Sequence, residues 1–457
     1  MAQDIETILD DNQTDEVIID NLKEKCIFVP KWSDLRKEYD PREHEVMDRA
    51  KYPDITEDGI LEPVTRVTRS LQKLAVNRMT GLCFGIPVNR KYHPTNDAEM
   101  NASQLIEKIY LKNRINAMNM ERGKMYFASC EVATLWYAVI EQNTHYGINS
   151  ALKIRTRTYS PMNGCKLYPL FDENDDYIAL SIASDRAVDG DIIHYFDTYT
   201  TNRHIRWRKI TDWERVVDEE IKMAKNPTIY MHRNEPIWED KTTTVNESEW
   251  AMSRNGNYIR KNSRPVFVVL ADEETGSPKE DNEKQSFKNV LQFPVGSKAE
   301  YVTWEQATES LKLHLEKLDQ SFFTDLQLPD ISFAKMKEIP LSGEARKQMF
   351  IDAILKVTTE SGRLGEFFDR EMMVVKAWAK IIAPSQASAI DSLNVENVIT
   401  PFMISELTDM VNTLTTATGG KAIMSQREAV EKLGISVDPG NTIKAIKSDD
   451  MEDVLMQ

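Results

Sequence analysis

The stretch SFFTDLQLPDISFAKMKEIPLSGEARKQMF, residues 321–350, decides how the rest of the chain reads. Upstream of it, Leu311, Leu315, Leu318 and Phe322 step by four, three and four residues, which stacks them on one face of a helix expected over 305–326. Downstream, Ser342 is a good N-cap residue, and Glu344 places a carboxylate in the positive first turn of a second helix. That helix is expected to run to about Ile382, where Pro384 closes it. At 1.5 Å per residue it is on the order of 60 Å long, and Gly362 and Gly365 mark the expected place for a kink. Between the helices, Pro329 and Pro340 bound an irregular segment that carries Lys335 and Lys337. A long helix stops, a short loop follows, and a longer helix begins.

Working outward, VTRVTRSLQKLAVNRMTGLCFG (64–85) places Val67, Leu71, Leu74 and Met79 close to one helical face. Gly85-Ile86-Pro87 ends it. Further helices are expected from about Asp97 to Ile109 and from Ala117 to Ser129, while the apolar run CEVATLWYAVIE (130–141) fits either a helix end or a buried strand. From Leu152 the period changes to two. KIRTRTYS, LYPLF, YIALSIAS, IIHYFDTYT and HIRWRKI alternate, with turn signals at Asn163-Gly164, at DENDD (172–176) and around Thr201-Asn202-Arg203. This is an antiparallel β region inside an otherwise helical chain.

Residues 225–290 are the least regular. KTTTVNESEW (241–250) and ADEETGSPKEDNEK (271–284) read as loops, with RPVFVVLA as a strand between them and AEYVTW as a short strand after them. In the tail, ISELTDMVNTLTTAT (404–418) reads as a helix ended by Gly419-Gly420, and Ser425 to Glu428 form a capping box opening QREAVEKLG. The fold class is α+β, mainly helical.

Composition narrows the function. A chain of 457 residues has room for about three domains. Its 41% apolar and 28% charged residues suit an ordinary packed core. A net charge of −16 argues against a binder that coats DNA phosphates with lysine and arginine. PVFVVLA (265–271), the longest apolar run, is far too short to span a bilayer, so no membrane role is expected. No basic-then-apolar signal peptide opens the chain; the first twenty residues hold seven carboxylates and no lysine or arginine, and read as a solvated, flexible arm in preference to an ordered interaction segment. Cys26, Cys83, Cys130 and Cys165 are widely spaced, as in a reduced protein without a zinc site.

No GxxxxGK[ST] loop, HExxH, GxSxG or GxGxxG occurs, and GGKA (419–422) lacks the earlier glycine and the hydroxyl of a phosphate loop. Seven histidines are spread singly. DENDD has the oxygen density to hold Mg²⁺ or Ca²⁺, but aspartate and asparagine also favour turns for local reasons. HIRWRKI offers a base-stacking tryptophan or, more simply, a half-exposed strand. Lys335 and Lys337 suit phosphate contact or plain solvation. The expectation is a non-enzyme with no catalytic residues, no metal and no cofactor.

The order of the parts resembles the portal proteins of tailed bacteriophages. NRMTGLCFGIPVNRKY (77–92) resembles the family's early helix ending in an aromatic-Gly-x-Pro-Val turn. YSPMNGCKLYPLFDENDDYIALSIAS and HYFDTYTTNRHIRW resemble its wing strands, and IMSQREAVEKLGISVDPGNTIKAI its near-terminal segment. LQLPDISF followed by LSGEARKQMF resembles the arrangement of helix, proline-aspartate, loop, Ser-Gly-x-Ala and long helix, the most specific of the set. The resemblance spans roughly residues 64–446.

It implies a subunit with wing, stem, clip and small crown, built into a ring, usually of twelve copies, around a central channel. The implied layout is an acidic arm (1–62), a wing (63–225), and remaining wing, first stem helix and clip (226–303). A stem helix (304–327), a tunnel loop (328–341), a long kinked helix back to the wing (342–384) and C-terminal helices with a small crown (385–457) follow. For the first stem helix, DWERVVDEEIKMAK (212–225) and KEDNEKQSFKNVLQ (279–292) are short, charged candidates.

The implied function is passage of double-stranded DNA during packaging and ejection at the capsid vertex, with assembly in the host cytoplasm. Implied partners are terminase, head-tail adaptors, and major capsid and scaffold proteins. Lys335 and Lys337 become candidates for transient phosphate contact in the tunnel loop. A largely acidic lumen would repel DNA over about a Debye length and let it slide. The alternatives are a metal-dependent DNA-processing enzyme using DENDD, or another acidic virion component such as a minor capsid protein.

Overall fold

Strands that alternate in sequence pair in the order in which they occur. In the computed structural model β6 (Lys166–Phe171), β7 (Tyr177–Val188), β8 (Asp191–Tyr199), β9 (Arg203–Lys209) and β10 (Trp213–Glu220) form an antiparallel meander in the order β10-β9-β8-β7-β6. The described residues are 5–10, 12–24, 27–57, 60–188, 190–262, 266–270, 298–302, 308–330, 348, 350–402, 407–419, 422–433 and 442–448. The described residues mix helix and strand, an α+β fold. The chain divides into two compact units, the first made of Met1–Pro30, Ala75–Ile237 and Gln327–Gln457, the second of Lys31–Leu74 and Trp238–Leu326.

In the first unit the meander buries both faces. Leu167, Leu180, Ile182 and Tyr199 pack against Ala133, Leu135, Tyr159 and Tyr230 of a second sheet. That sheet has the order β11 (Thr228–His232), β4 (Glu131–Asn143), β5 (Ser150–Tyr159). The ambiguous apolar run at 130–141 is therefore a buried strand, entered through Cys130 at a left-handed φ of 63°. The other face of the meander holds Phe196, Ile205 and Trp207, and the N-terminal helices α1 (Ile5–Ile8) and α2 (Asp15–Leu22) close over it.

This corrects the reading of the acidic N-terminus as a free arm. Ile18 and Ile19 are fully buried, each worth roughly 2 kcal/mol in area removed from water. Asp15 accepts hydrogen bonds from Trp207 Nε1 (2.8 Å) and Arg215 Nη2 (3.2 Å). A second correction falls on 212–225, a candidate first stem helix. Residues 213–220 are strand β10, paired from Trp213↔Lys209 to Glu220↔Arg203 with a bulge between Arg215 and Val217.

Helices α5 (Asp97–Lys112), α6 (Ile115–Ser129) and α9 (Ile351–Ile382) complete the main body of this unit. α9 buries Ala353, Val357, Glu360, Leu364, Phe367, Glu371 and Val375, spaced by four and three. It ends at Ile382 as expected. The helix runs unbroken through Gly362 and Gly365, and its 32 residues span about 48 Å. Ser342, the expected N-cap, lies outside the described residues. In the tail, α11 (Leu407–Thr418) and α12 (Gln426–Leu433) form, and Ser425 and Glu428 make the reciprocal capping bonds at 3.0 and 3.2 Å.

The second unit turns on α7 (Thr242–Asn262), a 21-residue helix over the stretch KTTTVNESEW that reads as a loop. Three threonines at its start are weak helix formers, and tertiary bonds override them. Residues 64–69 are extended, not helical as their apolar spacing suggests; α4 begins only at Leu71 and runs to Phe84. Along this extended segment the backbone N–H groups of Thr65, Val67 and Arg69 donate to Asn257 Oδ1, Ser253 Oγ and Glu249 Oε1 at 2.6, 2.9 and 2.7 Å. Alternate residues of an extended chain rise about 6.6 Å and four residues of a helix about 6 Å, so the two ladders match. Gly256 permits the approach: a Cβ there would lie 2.8 Å from Thr65 Cγ2. The strands expected from RPVFVVLA and AEYVTW pair with each other as β12 (Val266–Leu270) and β13 (Lys298–Val302).

Candidate functional site

The expected tunnel segment has two described ends, both in the first unit. After α8 (Thr308–Asp325), Gln327 takes a left-handed φ of 54°, which stops the helix. Leu328 is buried. Arg78 of α4 then clamps the proline-aspartate pair: its Nη1 donates to the Pro329 carbonyl at 2.8 Å, and its Nη2 lies 3.5 Å from Asp330 Oδ1. The Arg78 side chain is only 10% exposed. Burial pulls its pKa down while Asp330 opposes that shift. At the other end Phe350 is buried and its carbonyl accepts the N–H of Ile354, opening α9. Lys335 and Lys337 lie outside the described residues.

α9 is riveted in place by carboxylates on its apolar stripe. Glu371 takes two bonds from the Arg122 guanidinium of α6, at 2.6 and 2.8 Å, and a third from Trp136 Nε1 at 3.1 Å. The Arg122 guanidinium also lies over the rings of Phe367 and Phe368, 4.7 and 5.2 Å from their centroids. Nearly three turns from Phe350, Glu360 faces Arg233 at 3.4 Å. Lys356 sits in the same surroundings, and burial, then the Arg233 charge, pull its pKa down to about 8.

In the second unit, α8 runs antiparallel to α7. Lys241 meets Asp325 at 2.6 Å and Glu247 meets His314 at 3.4 Å, so the start of α7 lies beside the end of α8. Arg69 grips Asp319 through two bonds of 2.5 and 3.0 Å. Phe322, the last residue of the expected apolar stripe, is fully buried, and the leucines above it are half-buried.

The carboxylate-rich turn is spent on itself. Asp172 Oδ1 accepts the backbone N–H groups of Asn174 and Asp176, both at 2.8 Å, and Asp175 adopts a left-handed φ of 62°. This is a side-chain-closed turn between β6 and β7. Among the described residues no group of three or more His, Cys, Asp or Glu is placed to hold a metal ion. Trp207 of HIRWRKI is core, not a stacking platform. Arg78, Arg122 and Glu371 went unmarked in sequence. Glu371 alone left a trace, a charge falling on the apolar stripe of α9.

Comparison with known proteins gives the class first: the chain is a phage portal protein, matched over residues 19–454. Within that class it belongs to the family described as phage portal protein, SPP1 Gp6-like, whose members are structural components of the virion. No curated protein matches the chain. Among solved structures it is similar to a chain from the neck of an empty GTA particle computed with C6 symmetry, with TM-score 0.39, 9% identity, and coverage of 80% of this chain and 89% of that one. It is also similar to a chain from the virion of a native gene transfer agent (GTA) particle, with TM-score 0.41, 9% identity and coverage of 92% and 98%. A chain from the neck of the native GTA particle computed with C12 symmetry gives the same figures, TM-score 0.41, 9% identity, 92% and 98%. No described helix is long and apolar enough to cross a membrane.

Proposed function

We propose that this portal protein assembles into a ring, of twelve copies, at the capsid vertex and conducts double-stranded DNA inward during packaging and outward during ejection. Family membership over residues 19–454 carries the reading. The chain itself is not an enzyme: a separate terminase supplies ATP hydrolysis from outside the ring, and head-tail adaptors replace it after packaging. Major capsid and scaffold proteins surround the ring, which assembles in the host cytoplasm.

In this reading the antiparallel pair α7 and α8 forms the stem, with α7 as the first stem helix and the clip between them within 263–303. The paired sheets belong to the wing, and the tail after α9 forms a small crown. Residues 328–341 form the tunnel loop, with Lys335 and Lys337 in the channel. What supports this is the clamp. The loop leaves a fixed proline-aspartate pair held by Arg78 and returns to a buried Phe350, so the residues between are tethered at both ends.

Native mass and negative-stain images of the purified chain test it. A closed, pierced ring of about twelve times the 52.6 kDa subunit is expected. A chain that stays monomeric even with its scaffold partner would overturn it.

A further inference from the structure

The first unit contains a cavity of about 460 Å³ between the end of β11, the β6–β7 turn and the middle of α9. The portal reading makes no use of it. Arg363 and Arg370, two turns apart on one face of α9, line it together with Arg233, which follows β11. Arg233 is 90% buried, since its side chain is 10% exposed, and its Nε and Nη1 have no hydrogen-bond partner. Its carboxylate neighbour, Glu360, stands off at 3.4 Å.

A buried guanidinium with unmet N–H groups is costly unless something occupies them. The rings of Tyr126 and Phe127 cover it in part, 5.6 and 5.7 Å from Cζ. Arg363 makes no ion pair among the described residues, and Arg370 pairs with Glu366 at 2.6 Å. The cavity wall carries three arginines and two carboxylates, Asp175 and Glu366, while Glu360 pairs with Arg233 at its edge, so Arg363 is the arginine whose charge is least met. His232 lies close by: burial and then the Arg363 charge pull its pKa down.

We propose that this cavity binds a phosphate-bearing anion, gripped by the guanidinium groups of Arg233, Arg363 and Arg370. Guanidinium groups suit phosphate because their planar N–H forks match its oxygens, and three cations suit a group of more than one charge. The cavity is larger than a phosphate needs. Part of its remaining wall is aromatic, with Phe171 centred 6.3 Å from His232 and 6.4 Å from Tyr230. The phosphate is therefore either free or carried on a nucleotide whose base lies against that wall.

Calorimetric titration of the full chain with inorganic phosphate and with deoxyadenosine monophosphate, at constant ionic strength, distinguishes the two. Saturable binding is expected, weakened roughly tenfold or more in the Arg363→Ala/Arg370→Ala double variant with its melting temperature unchanged. A nucleotide that binds about tenfold tighter than phosphate identifies the nucleotide as ligand, and equal affinities identify free phosphate. Arg233→Met should abolish binding; because it alters a buried group, the double variant on α9 is the decisive one. Absence of saturable heat from either ligand up to about 10 mM, or binding that the double variant leaves intact, would overturn the proposal.

Discussion

Arg122 and Glu371 meet through two parallel hydrogen bonds of 2.6 and 2.8 Å, each side chain only 1% exposed. The pair joins α6 to the middle of α9. Removing one partner leaves a buried charge uncompensated, so Arg122→Ala or Glu371→Ala should each cost about 3–5 kcal/mol. The double replacement by methionine should cost less than either single change, because both charges leave together. Denaturant titrations of the three variants check this. A double variant as unstable as the sum of the singles would refute it.

Arg78 fixes the proline-aspartate end of the loop through the Pro329 carbonyl. Arg78→Ala should leave the fold intact while the amides just after α8 lose hydrogen-exchange protection, by about tenfold or more. Unchanged exchange over residues 326–330 would mean the clamp is incidental.

Gly256 lets the extended segment lie against α7, since a Cβ would sit 2.8 Å from Thr65 Cγ2. Gly256→Ala should therefore destabilise by about 1–3 kcal/mol despite alanine's higher helix propensity. Adding Thr65→Ser removes the obstructing methyl and should restore most of the loss. A thermal-melt cycle of the two substitutions reads the coupling directly; additive effects would exclude the clash.

Lys356 has its pKa pulled down to about 8, below the ordinary value of about 10.4. Between these values the unfolded chain holds a proton that the folded chain has released, so stability rises with pH across that window. The gain is complete above about pH 10.4 and is lost as pH falls through about 8, at most about 3 kcal/mol. Lys356→Met should flatten this rise. Parallel stability curves for the two proteins from pH 7 to 10.5 would contradict the assignment.

Lys335→Ala with Lys337→Ala should leave ring assembly unchanged and reduce DNA packaging or retention. Normal packaging by that variant removes the loop-contact role while leaving the portal assignment standing.

The elements with a regular local period were legible in sequence. α9 and α8 show their apolar steps of three and four, and β7 to β9 their alternation. β10 hid because its bulge at Arg215/Val217 shifts the phase of the alternation midway. The N-terminal helices hid because seven carboxylates outweigh Ile8, Ile18, Ile19 and Leu22 in any composition average. α7 was the hardest: its threonines argue against helix, and the bonds that hold it come from residues about 180 positions earlier. The candidate site fared similarly. The proline-aspartate signal marked where the loop begins, but nothing local pointed to Arg78 as its clamp, because a lone arginine on a helix is usually solvated.

That ladder also sets an order of events at the ribosome. Thr65, Val67 and Arg69 are synthesised long before Asn257, Ser253 and Glu249, whose side chains their amides require. At about 5–20 residues per second the early strand waits on the order of ten seconds or more for its partner helix. Until then its N–H groups face water, and the second unit cannot close. The contiguous meander from β6 to β10 needs no such delay and can form while the rest of the chain is still emerging.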